Sequence, residues 1–224
     1  MPLPRPQILF FDVNETLLDL EPVKEAVNGV LLDESGASLW FSTLLQYSLV
    51  MTVNERYDEF STVGAAVLQM LARNRDVALS MQEAKDVLAI MRTLPPHADV
   101  MPALRRLKTA GYRLVALTNS SIQGVEAQLE HARLSSLFEA RLSVESVRRF
   151  KPHRAVYAWA AESMHAAPDS CMLVAAHGWD VAGAAWAGWQ TAFIARTGQQ
   201  KFPLADPPTV DVSDLTGLAD ALGA

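Results

Sequence analysis

The run Ile8-Leu9-Phe10-Phe11 is apolar at every position and stops at Asp12. It lacks the alternation of a half-exposed strand, so it predicts a strand covered on both faces, as in a parallel sheet. A polar turn, Asn14-Glu15-Thr16, follows, and then a helical stretch near Glu21 to Leu32. From about Gly36 to Leu94 apolar residues recur at helical spacing. Leu39, Trp40, Leu44, Tyr47 and Met51 form one set; Tyr57, Phe60, Val63, Val67, Met70 and Leu71 a second; Ala84, Val87, Leu88 and Met91 a third. No strand pattern interrupts this block. Pro95-Pro96 closes it, because two prolines cannot extend a helix.

Beyond the prolines the pattern alternates. Pro102 to Ala110 predicts a helix with Gly111 as its left-handed cap. Arg113 to Leu117 predicts a strand that ends in Thr118-Asn119-Ser120-Ser121 and leads into a helix reaching about Arg133. Further strands are expected at Leu142 to Val144, Met172 to Ala176, Thr191 to Ala195 and Val210 to Val212. Helices are expected at His153 to His165 and Trp179 to Ala187. Strands alternating with helices imply βαβ units and a parallel sheet. The predicted architecture is α/β: a core of residues 1–18 and 97–224, with an all-helical cap, residues 19–96, inserted after the first strand. Ligands of open parallel sheets bind at the carboxyl ends of strands. That rule selects Asp12 to Thr16, Thr118 to Ser121 and Ala175 to Asp180, with the helical block above them as a lid that excludes water.

Composition narrows the partners. The chain has 224 residues, 50% of them hydrophobic and 20% charged, which excludes a largely disordered polymer. Its formal net charge of −6 does not suit a general nucleic-acid binder. No apolar run approaches the roughly 18 residues of a membrane helix. The stretch from Met1 to Gln7 is proline-rich and lacks the apolar region of a secretory signal. A single cysteine, Cys171, precludes an intrachain disulfide. The expectation is a cytoplasmic, soluble protein acting on a small molecule.

Several residues at the selected strand ends can carry chemistry. Asp12 either caps the turn or is a nucleophile held by backbone amides and a nearby cation. Asn14 cannot exchange a proton as an acid or base at neutral pH. Thr16 can hydrogen-bond a carboxylate or an anion, or cap a helix. Thr118, Asn119 and Ser120 offer hydroxyls and N–H groups where a strand gives way to a helix, as N-caps or as an anion site. Lys151 gains meaning if it reaches Asp12, where its charge would keep the carboxylate ionised. Asp180 can orient water, pair with Lys151 or cap a helix. His177 can serve as acid, base or halide contact. Trp179 is expected to pack. No pair here has the spacing of a zinc site, and there is no glycine-rich phosphate loop or serine nucleophile elbow.

Taken together, Asp12-Val13-Asn14-Glu15-Thr16, Thr118-Asn119-Ser120, Lys151-Pro152 and Trp179-Asp180 resemble, in order and placement, the four motifs of the haloacid dehalogenase-like hydrolase superfamily. The resemblance implies a Rossmann-like core with an inserted helical cap. Within the superfamily the chain is most similar to the type II 2-haloacid dehalogenases. Position 14 lacks the Asp of the phosphatase branch, Phe150-Lys151-Pro152 with Tyr157 resembles that group's third motif, and Trp179-Asp180 before Ala182-Gly183-Ala184 its fourth. The implied reaction is hydrolytic, metal-independent removal of halide from small 2-haloalkanoic acids. Asp12 would displace halide to form an aspartyl ester, Lys151 would aim Asp12, Asp180 would position water, and Thr16, Asn119 and Ser120 would hold carboxylates. Asn14, Thr118, Trp40, Phe41, Tyr157, His177 and Trp179 complete the implied substrate site, and a homodimer through cap helices is in keeping with the resemblance. The competing expectations are a Mg²⁺-dependent phosphatase of small phosphate esters and a protein of the same fold with little activity on haloacids. Three positions depart from the group's pattern. Trp40 is followed by Phe41 rather than Arg; Ala175-Ala176-His177 replaces a Ser-Ser-Asn run; Asn14-Glu15 replaces an aromatic residue and Gly. Since the halide loses a cationic donor, the expectation is that His177 or Trp40 supplies an N–H instead.

Overall fold

A computed structural model describes residues 5–224; the proline-rich start read above lies partly in residues 1–4, outside the described residues. Six strands form one parallel sheet: β1 (Ile8–Phe11), β2 (Arg113–Thr118), β3 (Ala140–Ser143), β4 (Cys171–Ala175), β5 (Gln190–Ile194) and β6 (Val210–Val212), in the order β3-β2-β1-β4-β5-β6. Every residue of β1, β4 and β5 is buried, as continuous apolar runs covered on both faces require. The chain builds outward from β1 to β2 and β3, then returns to the other side of β1 with β4. The direction of winding therefore reverses between β1 and β4, and the crevice at the carboxyl ends of strands opens there. Asp12 continues the ladder, its N–H donating to Val174 O at 3.0 Å.

Between β1 and β2 lie α1 (Glu21–Leu31), α2 (Gly36–Val53), α3 (Phe60–Arg73), α4 (Met81–Leu88) and a 3₁₀ turn at Ala89–Thr93. Local chemistry sets their ends. Leu32 takes a left-handed conformation after α1. Ser80 and Glu83 form a reciprocal capping box at the start of α4. The expected second apolar set is shortened, because α3 begins at Phe60 and leaves Tyr57 outside it, stacked on Phe150 at 5.2 Å. The remaining helices are α5 (Val100–Thr109), α6 (Ile122–His131), α7 (Arg154–Ser163), α8 (Gly178–Trp186) and α9 (Leu215–Ala221). Helix α5 starts two residues before the expected Pro102, since proline is tolerated in a first helical turn. Gly111 follows with φ +88°, the left-handed stop that the sequence predicted. Helix α9 has no counterpart in the sequence reading.

The helical block is braced within itself and fastened to the core. Trp40 Nε1 donates to Gly64 O within the block at 2.9 Å. Across the junction, Phe150 N–H donates to Thr52 Oγ1 at 3.1 Å and Gln128 Nε2 to Met91 O at 2.9 Å. No described helix is long and apolar enough to cross a membrane.

Candidate active site

Asp12 leaves β1 at the winding reversal and is 5% exposed. A carboxylate in such a place must be compensated. Lys151 Nζ donates to Asp12 Oδ1 at 2.8 Å, to Asp180 Oδ2 at 2.5 Å and to Leu117 O at 3.0 Å, so each of its three N–H groups has an acceptor. Thr16 Oγ1 donates to Asp12 Oδ2 at 2.8 Å and accepts from Ala176 N–H at 2.9 Å. Tyr157 donates to Asp180 Oδ1 at 2.6 Å. Burial works to raise the Asp12 pKa, but the neighbouring charges of Lys151 and His177 outweigh it and hold the carboxyl well below its ordinary range. Asp180 is pushed the other way by burial and by the Asp12 charge, against the pull of Lys151. Burial would lower Lys151, and the two carboxylates raise it instead.

Close packing is needed to bring these groups together. A Cβ on Gly183 would overlap the Pro152 ring and stand 2.8 Å from Tyr157 Oη, so glycine lets α8 approach the Lys151-Pro152 segment. Asn119 Oδ1 accepts from Lys151 N–H at 2.9 Å and fixes that segment from the β2 side.

A second cation meets Asp12 from above. His177 Nδ1 lies 3.0 Å from Asp12 Oδ2 and Nε2 lies 3.1 Å from Glu15 Oε2. Two carboxylates facing both ring nitrogens require both to donate, which only the imidazolium can do. Burial opposes the charge, yet the hydrogen bonds to Asp12 and Glu15 raise the His177 pKa from 6.5 to about 9. The ring is sandwiched between Phe41 (centroids 5.6 Å apart) and Trp179 (5.2 Å), which suits a planar cation. Glu15 also accepts from Gln199 Nε2 at 2.8 Å and pairs with Lys24 at 3.4 Å.

The other residues singled out in the sequence fall into three groups. Asn14 and Ser120 brace the turn: Asn14 Nδ2 donates to Ser120 Oγ at 3.4 Å, and Asn14 Oδ1 accepts from Gln128 Nε2 at 2.9 Å. Thr118 Oγ1 accepts from Ser120 N–H at 3.1 Å and shapes the end of β2. Phe41, Trp40 and Trp179 line a cavity of about 380 Å³, together with Leu45, His177, Lys24 and Gln199. The Trp40 indole N–H is already given to Gly64 O, which corrects the expectation that it could serve a halide. Both N–H groups of His177 are likewise engaged with carboxylates. The sequence placed Glu15 in the polar turn and the first motif without a role of its own, and gave none to Lys24 or Gln199. The one available signal was an acidic residue inside a buried turn, and Glu15 there has φ 64°.

Residues 6–188 match the model of the haloacid dehalogenase-like hydrolase family. The chain belongs to that family. The haloacid dehalogenase-like fold is equally plain in three dimensions: the structure of L-2-haloacid dehalogenase from Xanthobacter autotrophicus superposes with a TM-score of 0.90 at 23% identity, covering 98% of this chain and 99% of that one. Among curated haloacid dehalogenase-like relatives, (S)-2-haloacid dehalogenase H-109 of Pseudomonas putida is 28% identical over 96% of both chains. Haloacetate dehalogenase H-2 of Moraxella sp. (strain B) is 27% identical over 93% of this chain and 95% of its own.

Proposed function

We propose that this haloacid dehalogenase-like hydrolase removes halide from short 2-haloalkanoic acids, without a metal, through an ester on Asp12. The carrying observation is a buried Asp12 at a strand end, its carboxyl held by Lys151 Nζ, which also bridges Asp180. The proposed division is a core of residues 1–18 and 97–224 and a cap of residues 19–96. Asp12 attacks the carbon bearing the halogen; the carbon–halogen bond breaks and halide leaves with the electron pair. Water adds to Cγ of the ester and gives one proton to Asp180, whose raised pKa suits it to accept. Collapse breaks the bond from Cγ to the alkyl oxygen. That oxygen takes the proton from Asp180 and departs as the 2-hydroxy acid, while Asp12 sheds the second water proton and returns to carboxylate.

Two features favour this reading over a Mg²⁺-dependent phosphatase. Asn14 stands where a proton-transferring carboxyl would be needed, and its amide is spent on Ser120 and Gln128. The charge between Asp12 and Asp180 is supplied by Lys151. The aromatic and aliphatic walls at Trp40, Phe41, Leu45 and Trp179 suit an alkyl substituent. We also assign a cytoplasmic location, in keeping with one buried free cysteine, and a homodimer using the exposed Leu39, Leu49, Val50 and Val53 of α2. Halide release from chloroacetate and from both enantiomers of 2-chloropropionate, in chelator, tests the activity; phosphate release from an aryl phosphate that requires Mg²⁺ would overturn it.

A further inference from the structure

Oδ2 of Asp12 accepts two hydrogen bonds, from Thr16 Oγ1 and His177 Nδ1, whereas Oδ1 accepts one, from Lys151. Oδ1 therefore keeps a lone pair for attack and Oδ2 becomes the carbonyl oxygen of the ester. Once Asp12 is esterified its charge is gone, and a histidine held only by Asp12 would lose its reason to stay protonated. Glu15 supplies that reason independently. It lies 3.1 Å from Nε2, is 6% exposed, and is itself held by Gln199 and Lys24. Its left-handed backbone, φ 64°, is one a non-glycine residue adopts at a cost. A strained, buried carboxylate with its side chain on a histidine has a purpose beyond closing a turn.

We propose that Glu15 and His177 form a charge pair that keeps an N–H⁺ on Asp12 Oδ2 throughout the cycle, so that His177 with Thr16 stabilises the oxyanion when water adds to the ester. His177 is the catalytic residue and Glu15 the positioning residue. The inference rests on the aspartyl-ester reading. In the hydrolytic step water forms a bond to Cγ, the carbonyl pair moves onto Oδ2, and the two donors meet the growing charge where it develops. The charges facing the ring are consistent with this. Asp12 and Glu15 touch it; Lys151 reaches it only through Asp12, and Lys24 only through Glu15; α2 and α8 present the uncharged Phe41 and Trp179.

The test has two arms. In the first, the ring of His177 is titrated by NMR in the wild type and in Asp12→Ala, Glu15→Gln and the double variant, with His177→Asn for assignment. The proposal predicts an imidazolium at pH 7 in Asp12→Ala and a neutral ring in the double variant. Glu15→Gln alone should lower the pKa by about one unit or more. A neutral ring at pH 7 in Asp12→Ala, or no shift in Glu15→Gln, would overturn it. In the second arm, His177→Ala is mixed with chloroacetate and its intact mass followed. An adduct on Asp12 should accumulate because ester hydrolysis slows by about 10²–10³-fold, with partial recovery in His177→Asn, which keeps a neutral N–H. Turnover like wild type without adduct would overturn it. A wild type that releases no halide defeats the dehalogenase reading instead, and the ring titration still decides the charge pair.

Discussion

Lys151 and His177 are both buried cations, each bridges two carboxylates, and they share Asp12. They differ in what holds them. Lys151 spends its three N–H groups on two carboxylates and a strand-end carbonyl, and its backbone is tied to Asn119. Its charge is fixed across any working pH. His177 is planar, spends its two N–H groups on Asp12 and Glu15, and lies between two aromatic rings. Its charge depends on those partners and titrates near pH 9. Lys151 thus carries a permanent charge that keeps Asp12 ionised, whereas the charge on His177 is conditional and a change of pH can remove it.

The strongest way to break the pair is to remove the group they share. Asp12→Asn should lower halide release by about 10⁴-fold or more, read by a halide assay. Lys151→Met comes next. It leaves Asp12 and Asp180 buried together without their common cation, so denaturant unfolding should report a loss of about 3–5 kcal/mol as well as loss of turnover. The two cations are distinguished by pH. His177 is protonated in both folded and unfolded chains below 6.5, where its contribution is fully present. Between 6.5 and about 9 the folded chain keeps a proton that the unfolded chain has lost. Stability should therefore fall as pH rises through that window, by about 3 kcal/mol in all, and His177→Asn should flatten the fall. Phe41→Ala removes one face of the sandwich and should cost about 1 kcal/mol in thermal unfolding, while the same change leaves Lys151 and its partners untouched.

The same contrast explains what the sequence disclosed. Asp12, Lys151 and Asp180 were legible because each belongs to a motif at a strand end or beside a helix start, and a parallel sheet gathers its strand ends in one place. The strands themselves were legible from runs such as Ile8–Phe11, whose burial leaves no alternation. The Glu15–His177 contact was not, since its partners stand 162 residues apart and neither follows a periodic pattern. Gln199 sits in an irregular segment after β5, where nothing marks its reach toward Glu15. Trp40 was readable as a buried aromatic, but the carbonyl that takes its N–H belongs to another helix. Helix α9, seven residues long, is too short for its periodicity to stand out.

In the proposed reaction Asp12 is a nucleophile aimed by Lys151. The most direct measurement is halide release from chloroacetate by chelator-treated wild type beside Asp12→Asn. Release that persists in chelator and disappears in the variant is the predicted result. Release that requires added Mg²⁺, or that survives in Asp12→Asn, would contradict it.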